Sequence, residues 1–575
     1  MKELIKILLG DIVRKIALDF KDGILVEVPG NREHGDYTSN VAFCLAKFLH
    51  KSPSATADEL VKKIKKISAF TEVSADKKEF SKIEAKNGFI NFFLSPECLR
   101  HQLKEILEKK DKYGESNVKG QMSSVNVEFI SANPTGPLTI GNGRGGFYGD
   151  TLVNILESQG YKVMREYYIN DRGEQILTLG RSIKKAQGSH SLIPGIEEFA
   201  PPWRGEGRIP GIGAVEENLY RGDYINDLAK QVNRNLSVEE AGQKAIELIL
   251  KTYIRPVIRR LGIKFDNWFS EKSLYPPAPR LRRASKNSKY GEIMEDLMRR
   301  DFIYEKDSAT WMKTSQLGDS KDRVLIKKDG SETYFLSDIL YHFDKFKIRK
   351  FDKVIDIWGA DHHGYAPRLK AALKALGLPE DNLEIIITQL VRLVKNGKEV
   401  KISKRAGVFI KLEELIDEVG LDAARFFFLM YSPNTHMDFD MKLAKERSQK
   451  NPVYYVQYAH ARITSILAKI KNQKSKIKIT TKNLKLLGIE SELNLTRKLI
   501  EFPELLSEIS INYEVHRLPR YALELAREFH NFYEKYRVIT EDKSLTSARL
   551  GLVTATKIVL ANALNLMGIN APDKM

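Results

Sequence analysis

The spacing of apolar positions changes twice along the chain and predicts three structural units. In residues 1–115, a helical repeat at the start and strand-like segments at 24–29 and 88–94 predict a small N-terminal α+β domain. Between 116 and 440, short apolar strands alternate with glycine-rich turns and amphipathic helices, an order typical of a parallel α/β sheet. From 441 to 575 mainly helical patterns remain, which predicts an all-α bundle. The predicted fold class is therefore multidomain α/β.

Four apolar segments of the middle unit are predicted to be strands of its sheet. They are VNVEFI (125–130), KVMREYYI (162–169), KVIDIWGA (353–360) and EIIITQLVRLV (384–394). Residues 191–213 have a different composition, with four prolines and five glycines, which excludes a regular helix or strand. We interpret that segment as an insertion.

Length and composition narrow the class of protein. A chain of 575 residues is too long for one hydrophobic core, and 42% hydrophobic with 29% charged residues exclude a collagen-like or globally disordered chain. The 93 Lys and Arg outnumber the 75 Asp and Glu, and the net charge of +18 favours a polyanionic partner such as nucleic acid. Lysines spread over solvated faces give the same balance, so charge alone leaves both interpretations open.

The cysteines and the apolar runs bear on location. Cys44 and Cys98 lie far apart, which disfavours a disulfide framework and a thiolate zinc site and fits a reducing cytoplasm. No run reaches the roughly 20 apolar residues of a membrane-spanning helix. We therefore expect a cytoplasmic protein without a membrane partner.

The segment EFISANPTGPLTIGNGRGGFYGD (128–150) carries the most informative chemical signal. A strand is followed by a turn and by glycines that open a helix, where unpaired N–H groups and the positive end of the helix dipole suit phosphate groups. Alone, such a turn is weak evidence for a nucleotide site. The residues that we expect to bind ATP here are Pro134, Gly136, Gly141, Asn142 and Gly145.

A second element, VKNGKEVKISKRAG (394–407), follows the fourth predicted strand. Read without context, a lysine run of this kind is more often solvated surface than catalytic. Here Lys401, Ser403 and Lys404 stand on a glycine-flanked loop at a strand end. Ammonium groups in such a place can stabilise the charge that develops on phosphate during nucleotidyl transfer.

Together the two elements resemble the "HIGH" and "KMSK" signatures of class I aminoacyl-tRNA synthetases, and the closer resemblance is to bacterial arginyl-tRNA synthetases. The likeness extends through YYINDRGEQI (167–176), LGIKFDNWFSE (261–271), VIDIWGADHHGYAPRLKAAL (354–373) and the terminal LNLMGINAPDKM. It implies a Rossmann-like catalytic core, an N-terminal domain that contacts the tRNA elbow and a helical anticodon-binding domain.

The chain departs from that family at the first signature. Two histidines usually stand where this sequence has Thr139-Ile140-Gly141-Asn142, a form that tryptophanyl enzymes share. The Thr139 hydroxyl and the Asn142 amide can donate hydrogen bonds in their place. We expect Thr139, Gly141 and Asn142 to act in catalysis with Lys401, Ser403 and Lys404. The alternative is a catalytically inactive tRNA-binding paralogue.

The resemblance also implies an arginine pocket. Carboxylates are the natural partners of a planar guanidinium, and Glu128 and Asp338 would fill that role. Tyr334 lies four residues before Asp338 and would share its face if TYFLSD opens a helix, while Ser131 and Asn133 would hold the amino-acid end. Without the resemblance, a surface ion pair, a helix cap and core packing would be the preferred explanations of Glu128, Asp338 and Tyr334.

Asp361, His362 and His363 invite a metal-site interpretation, which the pattern disfavours. Adjacent histidines point in different directions and chelate poorly, and no other His/Cys cluster accompanies them. We expect no protein-held zinc. Asp361 and His362 are instead expected to line the ATP cleft, with Mg²⁺ arriving on the nucleotide.

The implied activity is the ATP-dependent ligation of L-arginine to tRNA(Arg) through an arginyl-adenylate. The resemblance implies further that bound tRNA is needed for efficient activation. In the C-terminal unit, Tyr458 and Arg462 are expected to contact tRNA, because aromatic and guanidinium groups stack on unpaired bases. A monomer is the expected state.

Overall fold

The computed structural model describes residues 1–20, 23–66, 79–116, 123–188, 219–275, 289–362, 364–395, 398–399, 410–472 and 477–575. The expected insertion at 191–213 and the catalytic candidates Lys401, Ser403 and Lys404 lie outside these residues.

The secondary structure follows the order that the sequence pattern predicts. The strands are β1 Val26–Glu27, β2 Tyr37–Ser39, β3 Phe80–Lys86, β4 Phe89–Leu94, β5 Ser124–Glu128, β6 Lys162–Ile169, β7 Asn267–Ser270, β8 Ile303–Lys306, β9 Ala309–Met312, β10 Arg323–Ile326, β11 Lys353–Gly359, β12 Leu383–Thr388, β13 Val391–Lys395, β14 Lys398–Glu399 and β15 Met437–Asp440. The α-helices are Lys2–Ile16, Val41–Leu49, Pro53–Lys66, Pro96–Lys109, Ile140–Ser158, Glu174–Ala186, Asp223–Gln231, Val238–Ile249, Arg255–Arg260, Lys289–Arg299, Tyr334–Phe343, Ala366–Ala375, Leu412–Val419, Leu421–Leu429, Met441–Lys445, Pro452–Asn472, Glu490–Ile500, Phe502–Asn512, Arg517–Lys535 and Lys543–Leu566.

The N-terminal unit is an antiparallel sheet, in the order β1-β2-β4-β3, packed against helices. Ile5, Leu8 and Ile12 of the first helix enter its core, as helical spacing requires. The strand expected at 24–29 forms only over two residues, as β1. The sequence pattern missed β3, because this edge strand is mostly polar and lacks a fully buried face.

The middle unit contains a five-stranded parallel sheet in the order β12-β11-β5-β6-β7. The chain runs outward from the central β5 to β6 and β7, and then returns to β11 on the other side of β5. This reversal is a topological switch point, and ligands of open α/β sheets bind at the carboxyl ends of the strands there. The multidomain α/β class with a parallel catalytic sheet is confirmed.

The fourth predicted strand, 384–394, is wrong as a single element. It divides into β12, which pairs with β11 in the parallel sheet, and β13, which pairs with β14 and β15 in a separate sheet. A continuous apolar run does not reveal the change of sheet at Gln389 and Leu390, because both strands are partly buried. The short β7 was also missed.

The C-terminal helices share a hydrophobic core with the catalytic sheet. Arg425, which is 1% exposed, lies at this junction: it donates to Asp150 Oδ2 at 2.8 Å, to the Met567 carbonyl at 2.9 Å and to the Leu261 carbonyl at 2.7 Å. The helix Ile140–Ser158 is thereby tied to the end of the last helix.

Candidate active site

A cavity of about 420 Å³ lies at the carboxyl ends of β5, β6 and β11, where the topology predicts a ligand. Its lining residues come from these strands, the segments after them and the helix Tyr334–Phe343. They are Glu128, Ile130, Ser131, Asn133, Tyr168, Asn170, Gln175, Glu271, Tyr334, Ser337, Asp338, Tyr341, His342, Ile357, Trp358, Gly359, His362 and Tyr365. All five predicted arginine-binding residues are therefore brought to one cavity, although their roles stay predictions.

The backbone is strained where β5 enters the cavity wall. Ile130 and Ser131 have φ angles of +65° and +32°, and the left-handed region is unfavourable for a β-branched residue such as isoleucine. The turn is held in place because Ser131 Oγ accepts a hydrogen bond from the Tyr168 N–H at 3.0 Å. Strain of this kind concentrates at binding sites, where the surrounding structure over-determines the conformation.

The helix that begins at Tyr334 runs from the mouth of the cavity to its floor. Thr333 caps it through its side chain, so the helix that TYFLSD predicts is confirmed. Tyr334 is 51% exposed, Asp338 is half-buried and His342 is 1% exposed. A π-helical turn, Asp344–Ile348, continues the helix and carries the fully buried Lys345. Spacings of three and four residues place these polar side chains on one helix face.

A buried ionic cluster forms the floor. Lys345 Nζ lies 2.9 Å from Glu128 Oε2 and 2.8 Å from Asp356 Oδ1, and His342 Nε2 lies 2.7 Å from Asp356 Oδ2. Burial raises the pKa of Glu128 despite the nearby Lys345, whereas for Asp356 the charges of Lys345 and His342 outweigh burial and lower the pKa to about 2. Glu128 is therefore buried and paired, in contrast to the surface ion pair considered from sequence.

Two further carboxyls face the cavity without an ion-pair partner among the described residues. Asp338 accepts a hydrogen bond from the Tyr365 hydroxyl, and burial raises its pKa to about 6. Burial likewise raises the pKa of Glu271, which follows β7, to about 7. Carboxyls that burial makes harder to ionise favour a cationic ligand, because the ligand supplies the missing charge.

The glycine-rich turn forms a capped helix start outside this cavity. Asn142 Oδ1 accepts from the Thr139 N–H at 2.9 Å and from the Thr139 hydroxyl at 3.1 Å. Because the Thr139 N–H can only donate, the oxygen of the Asn142 amide must face it. The NH₂ group is left as a donor with no partner among the described residues, whereas the Thr139 hydroxyl proton is already engaged.

The glycines of this helix differ in what surrounds them. Gly141 is exposed, with only Thr139 Oγ1 near a side chain added there. A Cβ on Gly145 would instead face Ile357 at 3.7 Å, so that glycine faces the sheet. Pro134 is buried, and Gly136 lies against the ring of Tyr224. Their predicted roles in ATP binding stay predictions.

Both ends of the basic loop are attached beside the glycine-rich turn. Before the loop, the Gln389 carbonyl accepts a hydrogen bond from the buried Arg144 at 2.8 Å. Arg144 also donates to the carbonyls of Ser432 and Thr435, which come after the loop, at 2.8 and 2.6 Å. After the loop, the Leu412 N–H donates to the Leu138 carbonyl at 2.9 Å. Lys401, Ser403 and Lys404 belong to the connecting segment, whose two described ends therefore flank the start of the Ile140–Ser158 helix.

The predicted ATP residues after β11 divide between two environments. Both Asp361 and His362 are exposed, but only His362 lines the cavity, with its ring 5.5 Å from that of Trp358. His363 lies outside the described residues. Among the residues that are described, no group of three His, Cys, Asp or Glu side chains is arranged to hold a metal ion.

Several residues of the cavity and of the ionic cluster beneath it were not singled out from sequence. Glu271 and Tyr365 lay within segments that carried the resemblance, yet received no role. His342 and Lys345 stand four and seven residues after Asp338, so helical spacing was the available signal. Asp356 had no local signal, because its partners come from a different element.

Three family models match successive parts of the chain. The model of the arginyl tRNA synthetase N terminal domain matches residues 2–94, that of the tRNA synthetases class I (R), catalytic domain, matches 102–426, and the DALR anticodon binding domain matches 456–575. The arginine–tRNA ligase of Citrifermentans bemidjiense is 42% identical over 98% of this chain and 99% of the relative. That of Thermotoga maritima is 43% identical over 96% and 95%.

The chain belongs to the class I arginyl-tRNA synthetases. The solved arginyl-tRNA synthetase of Thermus thermophilus has the same fold, with a TM-score of 0.74 and 21% identity over the full length of both chains. These matches favour the enzyme over the inactive alternative. The predicted boundaries at 115 and 440 stay predictions.

The synthetase presents an aromatic surface on the helix Pro452–Asn472. The half-buried rings of Tyr454 and Tyr458 are nearly parallel, and His530 stacks on Tyr458 at 5.9 Å. Arg462 donates to the Tyr533 hydroxyl at 2.9 Å. His460, in contrast, is buried, with Nδ1 2.8 Å from the Pro572 carbonyl, and is not available for stacking.

No helix in the described parts of the synthetase is both long enough and apolar enough to span a membrane.

Proposed function

We propose that this synthetase activates L-arginine with ATP and transfers it to the 3′-terminal adenosine of tRNA(Arg). In the first step an arginine carboxylate oxygen bonds to the α-phosphorus of ATP, and pyrophosphate leaves with the electrons of the broken P–O bond. In the second, a ribose hydroxyl, the 2′-hydroxyl in class I enzymes, attacks the adenylate carbonyl. AMP leaves and the hydroxyl proton is released. No protein nucleophile is required.

The observation that carries the substrate assignment is the pair Glu128 and Asp338 in one cavity. Each carboxylate has one oxygen committed to a protein donor, Lys345 for Glu128 and Tyr365 for Asp338. Each therefore offers its other oxygen to the cavity. A guanidinium presents several N–H groups in one plane and can donate to two such acceptors at once, whereas the compact ammonium of lysine lacks that planar spread of donors.

The ATP phosphates would lie at the glycine-rich turn, which opens the Ile140–Ser158 helix. The first N–H groups of that helix and the Asn142 NH₂ group supply donors, and the loop with Lys404 is attached on both sides of the turn. These groups would stabilise charge on the pentavalent α-phosphorus and on the departing pyrophosphate. Catalysis would rest on positioning and electrostatics.

ATP commonly arrives as its Mg²⁺ complex. Because the described residues present no cluster of metal ligands, we assign Mg²⁺ to the nucleotide and route no step through protein-bound metal. The proposal includes a cytoplasmic monomer that binds tRNA through the surface around Tyr458 and Arg462. Sedimentation of the full chain with and without tRNA tests that state.

Charging of total tRNA with labelled arginine tests the proposal. Arginine-specific, ATP-dependent transfer is expected, with lysine, glutamine and citrulline as competing amino acids. Citrulline is the sharpest control, because it keeps the shape of arginine but has a neutral urea in place of the guanidinium. A folded protein that binds tRNA and charges none of them would contradict the assignment.

A further inference from the structure

Three buried carboxylates form a row across the catalytic sheet. Asp356 on β11, Glu128 on β5 and Glu166 on β6 are register partners on adjacent parallel strands. Their exposed fractions are 0%, 5% and 0%. Like charges at such close quarters, shielded from water, cannot all ionise unless cations are placed among them.

The cations come from the π-helical turn below the cavity and the residue after it. Lys345 lies between Asp356 and Glu128, and Arg349 donates through Nη2 to Glu166 Oε1 at 2.9 Å. His342 faces acceptors with both ring nitrogens, the Asp338 carbonyl at Nδ1 and Asp356 Oδ2 at Nε2.

Of the three carboxylates, only Glu128 lines the cavity. Both oxygens of Asp356 are occupied, by Lys345 and His342, and those of Glu166 by Arg349, Tyr341 and Asn267. Glu128 has Oε2 on Lys345 and no protein donor on Oε1 among the described residues. Because Lys345 occupies Oε2, only Oε1 of Glu128 is left to accept a hydrogen bond from a ligand.

We propose that Lys345 is a positioning residue for arginine selection, which acts by holding Glu128 ionised and directing its single free oxygen at the guanidinium. This inference rests on the proposed function of the cavity. Lys345 does not line the cavity and acts through Glu128. Without the cation, Glu128 and Asp356 become neighbouring buried carboxyls, and both become harder to ionise.

The titratable groups that face Glu128 come from every adjoining element. They are Asp356 on β11, Glu166 and Tyr168 on β6, Asp338, Tyr341 and His342 on the helix Tyr334–Phe343, and Lys345 on the π-helical turn. Lys345 is the only one of these with a cationic hydrogen bond to Glu128 in the described structure.

The test compares Lys345→Met with Arg349→Met. Each variant removes a cation that pairs with a carboxylate of the row, but only Lys345 pairs with the carboxylate that lines the cavity. For Lys345→Met we expect the KM for arginine to rise at least about tenfold at pH 7, the scale of one charged hydrogen bond, with the KM for ATP unchanged. The increase in the arginine KM should become smaller as the pH is raised, because higher pH favours the ionised form of Glu128.

Both variants should lower the Tm by similar amounts, because each removes a cation that pairs with a buried carboxylate. For Arg349→Met, however, the arginine KM should stay within about twofold of the wild-type value and should show no new dependence on pH. Equal rises in the arginine KM for the two variants, or an arginine KM for Lys345→Met that is unchanged at every pH, would overturn the inference. If Lys345→Met does not fold, Lys345→Met with Asp356→Asn restores the charge balance. In that double variant, calorimetric arginine affinity should still be at least about tenfold lower than in Asp356→Asn alone.

The Glu128→Gln variant distinguishes a failure of this inference from a failure of the proposed function. If Glu128→Gln leaves the arginine KM unchanged, the assignment of the cavity fails. If Glu128→Gln raises it and Lys345→Met does not, the cavity stands and only the role of Lys345 fails.

Discussion

Thr139 and Asn142 hydrogen-bond each other through one oxygen: Asn142 Oδ1 accepts from both the N–H and the hydroxyl of Thr139. The pair caps the catalytic helix and turns the Asn142 NH₂ group away from the cap. Of the two residues that replace the usual histidines, Asn142 is therefore the one with a donor to spare.

Asn142→Asp isolates that donor. Aspartate keeps the capping oxygen and suits a helix N-terminus, so the free energy of unfolding should change little. Arginine-dependent pyrophosphate exchange, measured with tRNA present, should fall by at least about a hundredfold, because a donor is replaced by a negative charge beside phosphate. Asn235→Asp, in an exposed loop, is the control. Retained activity in Asn142→Asp would remove Asn142 from the catalytic group.

Arginine use should depend on the ionisation of Asp338. Burial raises its pKa to about 6, so in the free enzyme the carboxyl gains a proton as the pH falls through 6. We expect kcat/KM for arginine to decline below that pH, since this ratio reports groups of the free enzyme. The Asp338→Asn variant should lose the decline together with most of its activity at pH 8. A flat wild-type profile from pH 5 to 8 would contradict this assignment.

The raised pKa of Asp338 also predicts the direction in which stability changes with pH. A carboxyl with a raised pKa binds more protons in the folded state than in the unfolded state between its ordinary pKa and about 6, so its contribution to stability is lost as the pH rises through that window. Asp338→Asn should therefore raise the free energy of unfolding at pH 8, as measured by urea denaturation. A fall at pH 8 would show that Asp338 also stabilises the fold.

Arg425→Met should destabilise the junction between the catalytic and C-terminal units. The variant leaves Asp150 buried without its ion-pair partner and frees two carbonyls, a change that costs about 3–5 kcal/mol. Adding Asp150→Asn should recover part of that loss. The matched control is Arg392→Met, whose pair with Asp438 is solvent-exposed and should contribute little to stability. Equal costs for the two arginines would refute this account.

Tyr458→Ala should weaken tRNA binding without altering arginine use. Loss of one stacking ring costs about 1–3 kcal/mol of RNA affinity. The KM for tRNA in charging assays should rise about five- to hundredfold, while the KM values for arginine and ATP stay at wild-type levels. Tyr304→Ala, in the sheet β8 to β10, provides the control. An unchanged KM for tRNA would show that Tyr458 only packs against His530.

Local sequence patterns predicted much of the fold. The helix Ile140–Ser158 begins where the glycine-rich turn predicts it, and β6 coincides with its apolar segment. The prediction of strands failed where a strand pairs with a segment that is distant in sequence. The run 384–394 divides between two sheets because β13 pairs with β15, about 45 residues further on, and β7 is too short to stand out from its surroundings.

The sequence by itself determined the order of the units, the glycine-rich turn that opens a helix and the family resemblance, which in turn implies the carboxylates for a guanidinium. The units and the turn depend on residues close along the chain, where periodicity and turn chemistry act. Only the tertiary structure decided that Asp356, Glu128 and Glu166 form one row and that Lys345 lies between two of them. The register of parallel strands sets that row, and register follows from packing between segments far apart in sequence.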